Sequence, residues 1–128
     1  MIDDRGEFAN HDRFPDAGTI LVAGFADALG RLPFTGEEYV VILTWSHEFD
    51  AQVLAESMKK SLKYVGMIGS SRKVKAILNH LRSLGFKEEA IGSIHTPIGI
   101  PIGAETPQEI AIAIAAELVA VRSGRDSD

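Results

Sequence analysis

The chain has 128 residues, 45% hydrophobic and 24% charged, the make-up of one globular domain that buries a core without disulfides or a structural metal. Its formal net charge of −5 argues against nucleic-acid or membrane-surface binding, because both need a basic footprint. It contains no cysteine, which excludes disulfides, thiolate metal sites and cysteine nucleophiles within these residues.

The opening Met1-Ile2-Asp3-Asp4-Arg5 is not a signal peptide, and a cytoplasmic location is the expectation. Ile2 to Arg5 reads as the end of a Rossmann-type strand, where an acidic residue meets a ribose hydroxyl. A solvated acidic end is the reading slightly favoured for Asp3 and Asp4. Within Gly18 to Gly24, Thr-Ile-Leu-Val-Ala is an apolar run suited to a strand buried on both faces. A short helix follows over about Phe25 to Leu32. Glu38 to Thr44 is the clearest strand, rich in β-branched residues. Helical spacing then covers Asp50 to Leu62.

Lys63 to Gly69 is a third strand ending in glycine. The next helix runs from Ser71 to Leu84, with one stripe of Val74, Ile77, Leu78, Leu81 and Leu84 and a stop at Gly85. Lys87 to Ile94 is another short helix, and His95 to Gly103 a loop carrying Pro97, Gly99, Pro101 and Gly103. The last helix opens with Thr106-Pro107-Gln108-Glu109, which predicts a capping box with proline at the first helical position. It extends to about Arg122 and is apolar on most faces, so burial on two sides is expected, one of them a candidate subunit interface. The stretch from Ile110 to Val121 is broken by Glu117 and too short to span a bilayer. Strands alternating with helices predict an α/β fold with a mostly parallel sheet.

Three segments carry candidate chemistry. In Gly66-Met-Ile-Gly69-Ser70-Ser71-Arg72-Lys73, a strand turns on glycine into a helix start with hydroxyl and basic side chains. That is either an anion receptor for phosphate, pyrophosphate or an oxo-ligand, or a capped turn with two solvated cations. Thr44 to Asp50 places His47 as a candidate acid, base or ligand, with Asp50 orienting it or capping the helix. The blander reading, a surface histidine and a capping aspartate, is the stronger there. His95 to Gly103 is either a rigid apolar wall beside a ligand or a plain connector.

In order and spacing these segments resemble the C-terminal domain of the XdhC/CoxI family. The similarity lies in Ile2 to Arg5 with Glu7-Phe8-Ala9, Arg13-Phe14-Pro15-Asp16-Ala17, and Val40 to Thr44 with His47 and Asp50. It continues in Tyr64 to Ser70 with Arg72-Lys73, in Pro97-Ile98-Gly99, in Ile102-Gly103, and in Thr106-Pro107 with Glu109-Ile110-Ala111.

The resemblance implies a truncated Rossmann-like three-layer domain over 1–122, with 123–128 as a flexible tail. It implies an accessory binding protein rather than a catalyst, one that binds or helps deliver the molybdenum cofactor (molybdopterin) to a molybdenum hydroxylase of the xanthine dehydrogenase or CO dehydrogenase type. The residues placed at that ligand are Thr44, His47, Asp50, Gly66, Gly69, Ser70, Ser71, Arg72, Lys73, Pro97 and Gly99; no catalytic and no metal-ligating residue is assigned.

This sequence departs from the family pattern at Pro101, where an acidic residue is common, and at Ala113, where a serine is common. The resemblance leads to the expectation of a cysteine-bearing N-terminal domain, a first strand and a glycine-rich loop ahead of Ile2; none lies within these residues, so NAD is not expected of them. An exposed sheet edge predicts a homo-oligomer, and a client enzyme or another accessory subunit is the expected partner. The alternatives are an assembly module without its own ligand and a nucleotide-binding oxidoreductase domain.

Overall fold

The computed structural model describes residues 1–125. The elements run β1 (Ile2–Asp3), β2 (Leu21–Val22), α1 (Phe25–Arg31), β3 (Tyr39–Ile42), α2 (His47–Ser57), β4 (Tyr64–Met67), α3 (Ser71–Ser83), α4 (Glu88–Gly92) and α5 (Pro107–Ser123). The strands pair in two parallel ladders. Ile2 and Asp3 of β1 face Leu21 and Val22 of β2, and Tyr39 to Ile42 of β3 face Tyr64 to Met67 of β4.

His95, expected in a loop, bridges in parallel to Gly66 on the other edge of β4. Its N–H donates to Val65 O at 2.9 Å, and its carbonyl accepts from Met67 N–H at 3.0 Å. β4 is therefore flanked on both edges, and all four of its residues are buried. β2 is shorter and more exposed than its apolar run predicts, because it pairs with β1 alone and Val22 faces outward, 52% exposed.

Helices cover both faces, which makes the three layers. One face buries Phe25 and Leu29 of α1, Val53 and Leu54 of α2, and Val74, Ile77 and Leu81 of α3 against Ile42, Val65 and Met67, with Ile91 and Ile94 closing the cluster. Here the alternation of β4 is explicit: Val65 and Met67 point to this core, while Tyr64 and Ile68 point to the other side. There Tyr64, Ile98 and Ile114 pack with Ile110, Leu118 and Val121 of α5.

Helix limits follow the caps. The Ser46 hydroxyl accepts from Phe49 N–H, so α2 starts at His47 rather than at Asp50, and it ends at Ser57, short of the expected Leu62. Ser70 caps α3 in the same way. Leu84 leaves α3 just before Gly85, whose φ of 94° is the left-handed conformation glycine tolerates. The capping box of Thr106 and Glu109 forms with Pro107 at the helix start.

α5 is not buried on two sides. A single stripe meets the sheet, and Ile112 and Val119 on its outer side are 62% and 49% exposed. Of the expected tail, Ser123 belongs to α5 and Gly124 caps it in the left-handed conformation; residues 126–128 lie outside the described residues. No helix among the described residues is long and apolar enough to cross a membrane.

Candidate functional site

Parallel α/β sheets offer their ligand crevice beyond the carboxyl ends of the strands. In this chain those ends carry the β3–α2 turn, the β4–α3 turn and the segment after His95. The second and third of these close on each other. Ile68 and Gly69 form one wall of a crevice of about 440 Å³, the loop from Pro97 to Ala104 the other, and Ile110 and Ala113 of α5 the floor.

The loop is pressed against α5. Gly99 sits at φ 95°, and a Cβ there would meet Ala113 Cβ at 3.0 Å and its backbone carbon at 3.2 Å. Glycine is required by both the conformation and the room. A hollow of about 340 Å³ at the opposite, amino ends of β3 and β4 is lined by Glu37, Tyr39, Lys63, Leu118, Val119 and Arg122, and it lacks that topological placement.

Beside the crevice lies a buried ion pair. Asp50, in the first turn of α2, is 1% exposed. Its Oδ1 accepts from Thr44 N–H at 2.9 Å and from the Thr44 hydroxyl at 2.6 Å, and its Oδ2 accepts from Lys73 Nζ at 2.6 Å. Lys73 reaches it from α3 along the surface of Gly69, with Cδ 3.2 Å from where a Gly69 Cβ would stand. Thr44, Asp50 and Lys73 thus join the turns after β3 and β4 into one rigid frame, and the charges of Asp50 and Lys73 neutralise each other.

The expected site residues therefore divide. Gly69, Pro97 and Gly99 line the crevice. Ser71 and Arg72 lie exposed at the start of α3 beside it, where unpaired first-turn N–H groups favour an anion. Ser70 is occupied as the N-cap, accepting from Lys73 N–H at 3.3 Å. Lys73 is not a solvated cation: its partner is Asp50.

Asp50 neither orients His47 nor caps α2; the cap is Ser46, and His47 is exposed in the first turn. Gly66 is not open to a ligand. A Cβ there would stand 2.3 Å from the Tyr64 hydroxyl and 2.8 Å from Ile98, so its missing side chain makes room for core packing.

At the carboxyl end of β1 the acidic residues have partners, Asp3 in a part-buried ion pair and Asp4 at the surface. Asp3 accepts from Arg5 N–H at 2.9 Å, Nε at 3.0 Å and Nη2 at 3.2 Å, and this guanidinium holds the Asp3 carboxyl below the usual carboxylate range. Asp4 accepts from the Trp45 indole N–H at 2.9 Å. The Arg5 guanidinium lies over Phe8 at 4.4 Å and Trp45 at 5.2 Å. Neither Arg5 nor Trp45 stands out from local sequence, since their partner segments are far apart in the chain.

This arrangement matches a known family. The XdhC Rossmann domain matches residues 1–118. The chain belongs to the XdhC family. It is 37% identical over 118 residues to the uncharacterised protein YqeB of Escherichia coli strain K12, covering 91% of this chain and 21% of that protein. It is 26% identical over 122 residues to a probable xanthine dehydrogenase component of Bacillus subtilis strain 168, covering 95% of this chain and 35% of that one. Among solved structures, the crystal structure of a xanthine dehydrogenase from Bacillus halodurans superposes with a TM-score of 0.83 at 29% identity, over 97% of this chain and 35% of that chain. The chain thus spans about a fifth to a third of the length of these relatives, and the matched part is a Rossmann-type domain.

Proposed function

We propose that this XdhC domain is an accessory module for a molybdenum hydroxylase of the xanthine dehydrogenase type, and that it holds the molybdenum cofactor at the crevice between Gly69 and the Pro97–Gly103 loop. The observation that carries the reading is the crevice itself, at the carboxyl end of β4, apolar-walled and next to the free start of α3.

The residues fit the group in two respects. Ile68, Pro97 and Ile100 offer apolar walls to a pterin ring, and the α3 first turn with Ser71 and Arg72 offers N–H groups and a cation to its phosphate.

The test is a titration with molybdopterin at two salt concentrations, with wild type and Arg72→Ala. Arg72 is the informative position, because replacing Lys73 would strip Asp50 of its partner and confuse binding with stability. Binding that weakens roughly five-fold in Arg72→Ala, about 1 kcal/mol, and weakens with salt is expected. Saturable binding indifferent to both would move the phosphate elsewhere, and no binding by folded protein would sink the reading.

A second reading rests on the exposed outer side of α5. Ile112 and Val119 would serve an assembly module that docks on a client, another accessory subunit or a second copy. A monomer by sedimentation equilibrium at high protein concentration would remove the second-copy version.

A further inference from the structure

Glu117 places a charge on the inner side of α5. Its side chain is 13% exposed, on the side of the sheet where Tyr64, Ile98 and Ile114 form a core cluster. A single oxygen, Oε1, accepts from the Tyr64 hydroxyl at 2.6 Å and from Gly99 N–H at 3.1 Å. His95 Nδ1 stands 3.7 Å from the same oxygen, with its ring stacked on Tyr64 at 4.6 Å between centroids. Burial and the adjacent carboxylate both raise the Tyr64 pKa, so the phenol stays protonated and remains a donor.

Burying a carboxylate is costly, and an apolar side chain of similar volume would serve stability at least as well. What Glu117 provides instead is a fixed acceptor for a loop. Gly99 lies in the crevice wall. Its neighbours Ile98 and Ile100 donate to Met67 O at 3.0 Å and Ala113 O at 3.2 Å. The Glu117 bond sits between these two anchors, and Tyr64 fixes the carboxylate from the strand side.

We propose that Glu117 is a positioning residue: through Gly99 it holds the Pro97–Gly103 loop on α5 and so sets the shape of the crevice, with Tyr64 fixing its orientation. Its consequence for ligand binding rests on the cofactor reading above; the holding of the loop does not.

The experiment is amide hydrogen exchange by NMR on the full chain, for wild type, Glu117→Leu, Glu117→Gln and Tyr64→Phe. In Glu117→Leu, exchange at Ile98, Gly99 and Ile100 rises at least about ten-fold, while Leu54 and Ile77, in helices of the opposite layer, change less than two-fold. Glu117→Gln retains an acceptor and rescues part of the protection, and Tyr64→Phe gives a smaller rise confined to the same loop.

A uniform rise at all these amides in every variant would mean a purely structural role and overturn the proposal, as would unchanged exchange at Gly99. If Glu117→Leu does not fold, the comparison of Glu117→Gln and Tyr64→Phe with wild type decides by the same pattern. A molybdopterin titration of the same samples separates the two claims. Loop loosening without any wild-type binding leaves the positioning role standing and removes the cofactor.

Discussion

Gly66→Ala is the sharpest probe of how this domain is packed. A Cβ at position 66 would lie 2.3 Å from the Tyr64 hydroxyl and 2.8 Å from two Ile98 carbons, so both side chains must move. Overpacking of this kind costs about 1–3 kcal/mol. Displacing the Tyr64 hydroxyl from the Glu117 carboxylate, 2.6 Å away, forfeits part of a charged hydrogen bond worth about 1.5–3 kcal/mol. A total of about 3 kcal/mol is expected. For 128 residues, with an unfolding entropy of about 2.1 cal/mol/K per residue, that lowers Tm by about 11 °C.

Thermal unfolding followed by far-UV circular dichroism measures it. Adding Tyr64→Phe removes the nearest clashing atom, so the double variant should be less destabilised than the sum of the singles by at least about 1 kcal/mol. A Gly66→Ala protein within about 0.5 kcal/mol of wild type, or strictly additive singles, would refute the reasoning.

The buried pair gives a second expectation. Lys73→Ala leaves Asp50, 1% exposed, without its cation and should cost about 3 kcal/mol in urea unfolding, whereas the uncharged pair Asp50→Asn with Lys73→Met should recover most of it; equal losses in both would show that the pair is replaceable piecemeal. A third concerns acid. Glu38 accepts from Thr35 N–H and hydroxyl at 2.6 and 2.8 Å and from Gly36 N–H at 2.9 Å, which lowers its pKa from 4.5 to about 2. A depressed carboxylate stabilises the fold above its unfolded pKa, and that contribution fades as pH falls from about 4.5 to about 2. Glu38→Gln should flatten the loss of stability across that window, as read from denaturant midpoints at stepped pH; an unchanged slope would discount the turn.

The parts of this fold that sequence reveals are those decided within a few residues. The Thr106-Pro107-Gln108-Glu109 start of α5 is a local device and forms as expected, and the α3 stripe forms through Val74, Ile77 and Leu81, while Leu84, expected to close it, lies just past the helix and is 54% exposed. The start of α2 differs because two hydroxyl or acidic residues, Ser46 and Asp50, compete as caps, and Lys73 from a different helix draws Asp50 inward. No local rule reports a partner 23 residues away. Val22 likewise belongs to an apolar run whose burial depends on how many strands flank it. At the crevice, Gly69, Pro97 and Gly99 are readable because turns need such residues. Gly66 looks the same in sequence and is a packing glycine.

Glu117 shows where the missing signal lies. A lone charge inside the apolar stretch from Ile110 to Val121 reads as an interruption, yet a buried charge on a helix is retained only against a cost and so requires a partner. Its partners, Tyr64 and Gly99, are 53 and 18 residues distant. They come from the strand and the loop that bound the crevice. The same logic applies to Asp50, whose two donors, Thr44 and Lys73, tie the turns after β3 and β4. The two carboxylates, Asp50 buried and Glu117 part-buried, thus stand on opposite layers of the sheet and brace the same carboxyl-end rim from both sides. Apolar residues in their places would fill the volume without fixing the turns, so the buried charge in this domain marks the rim that must stay in one shape.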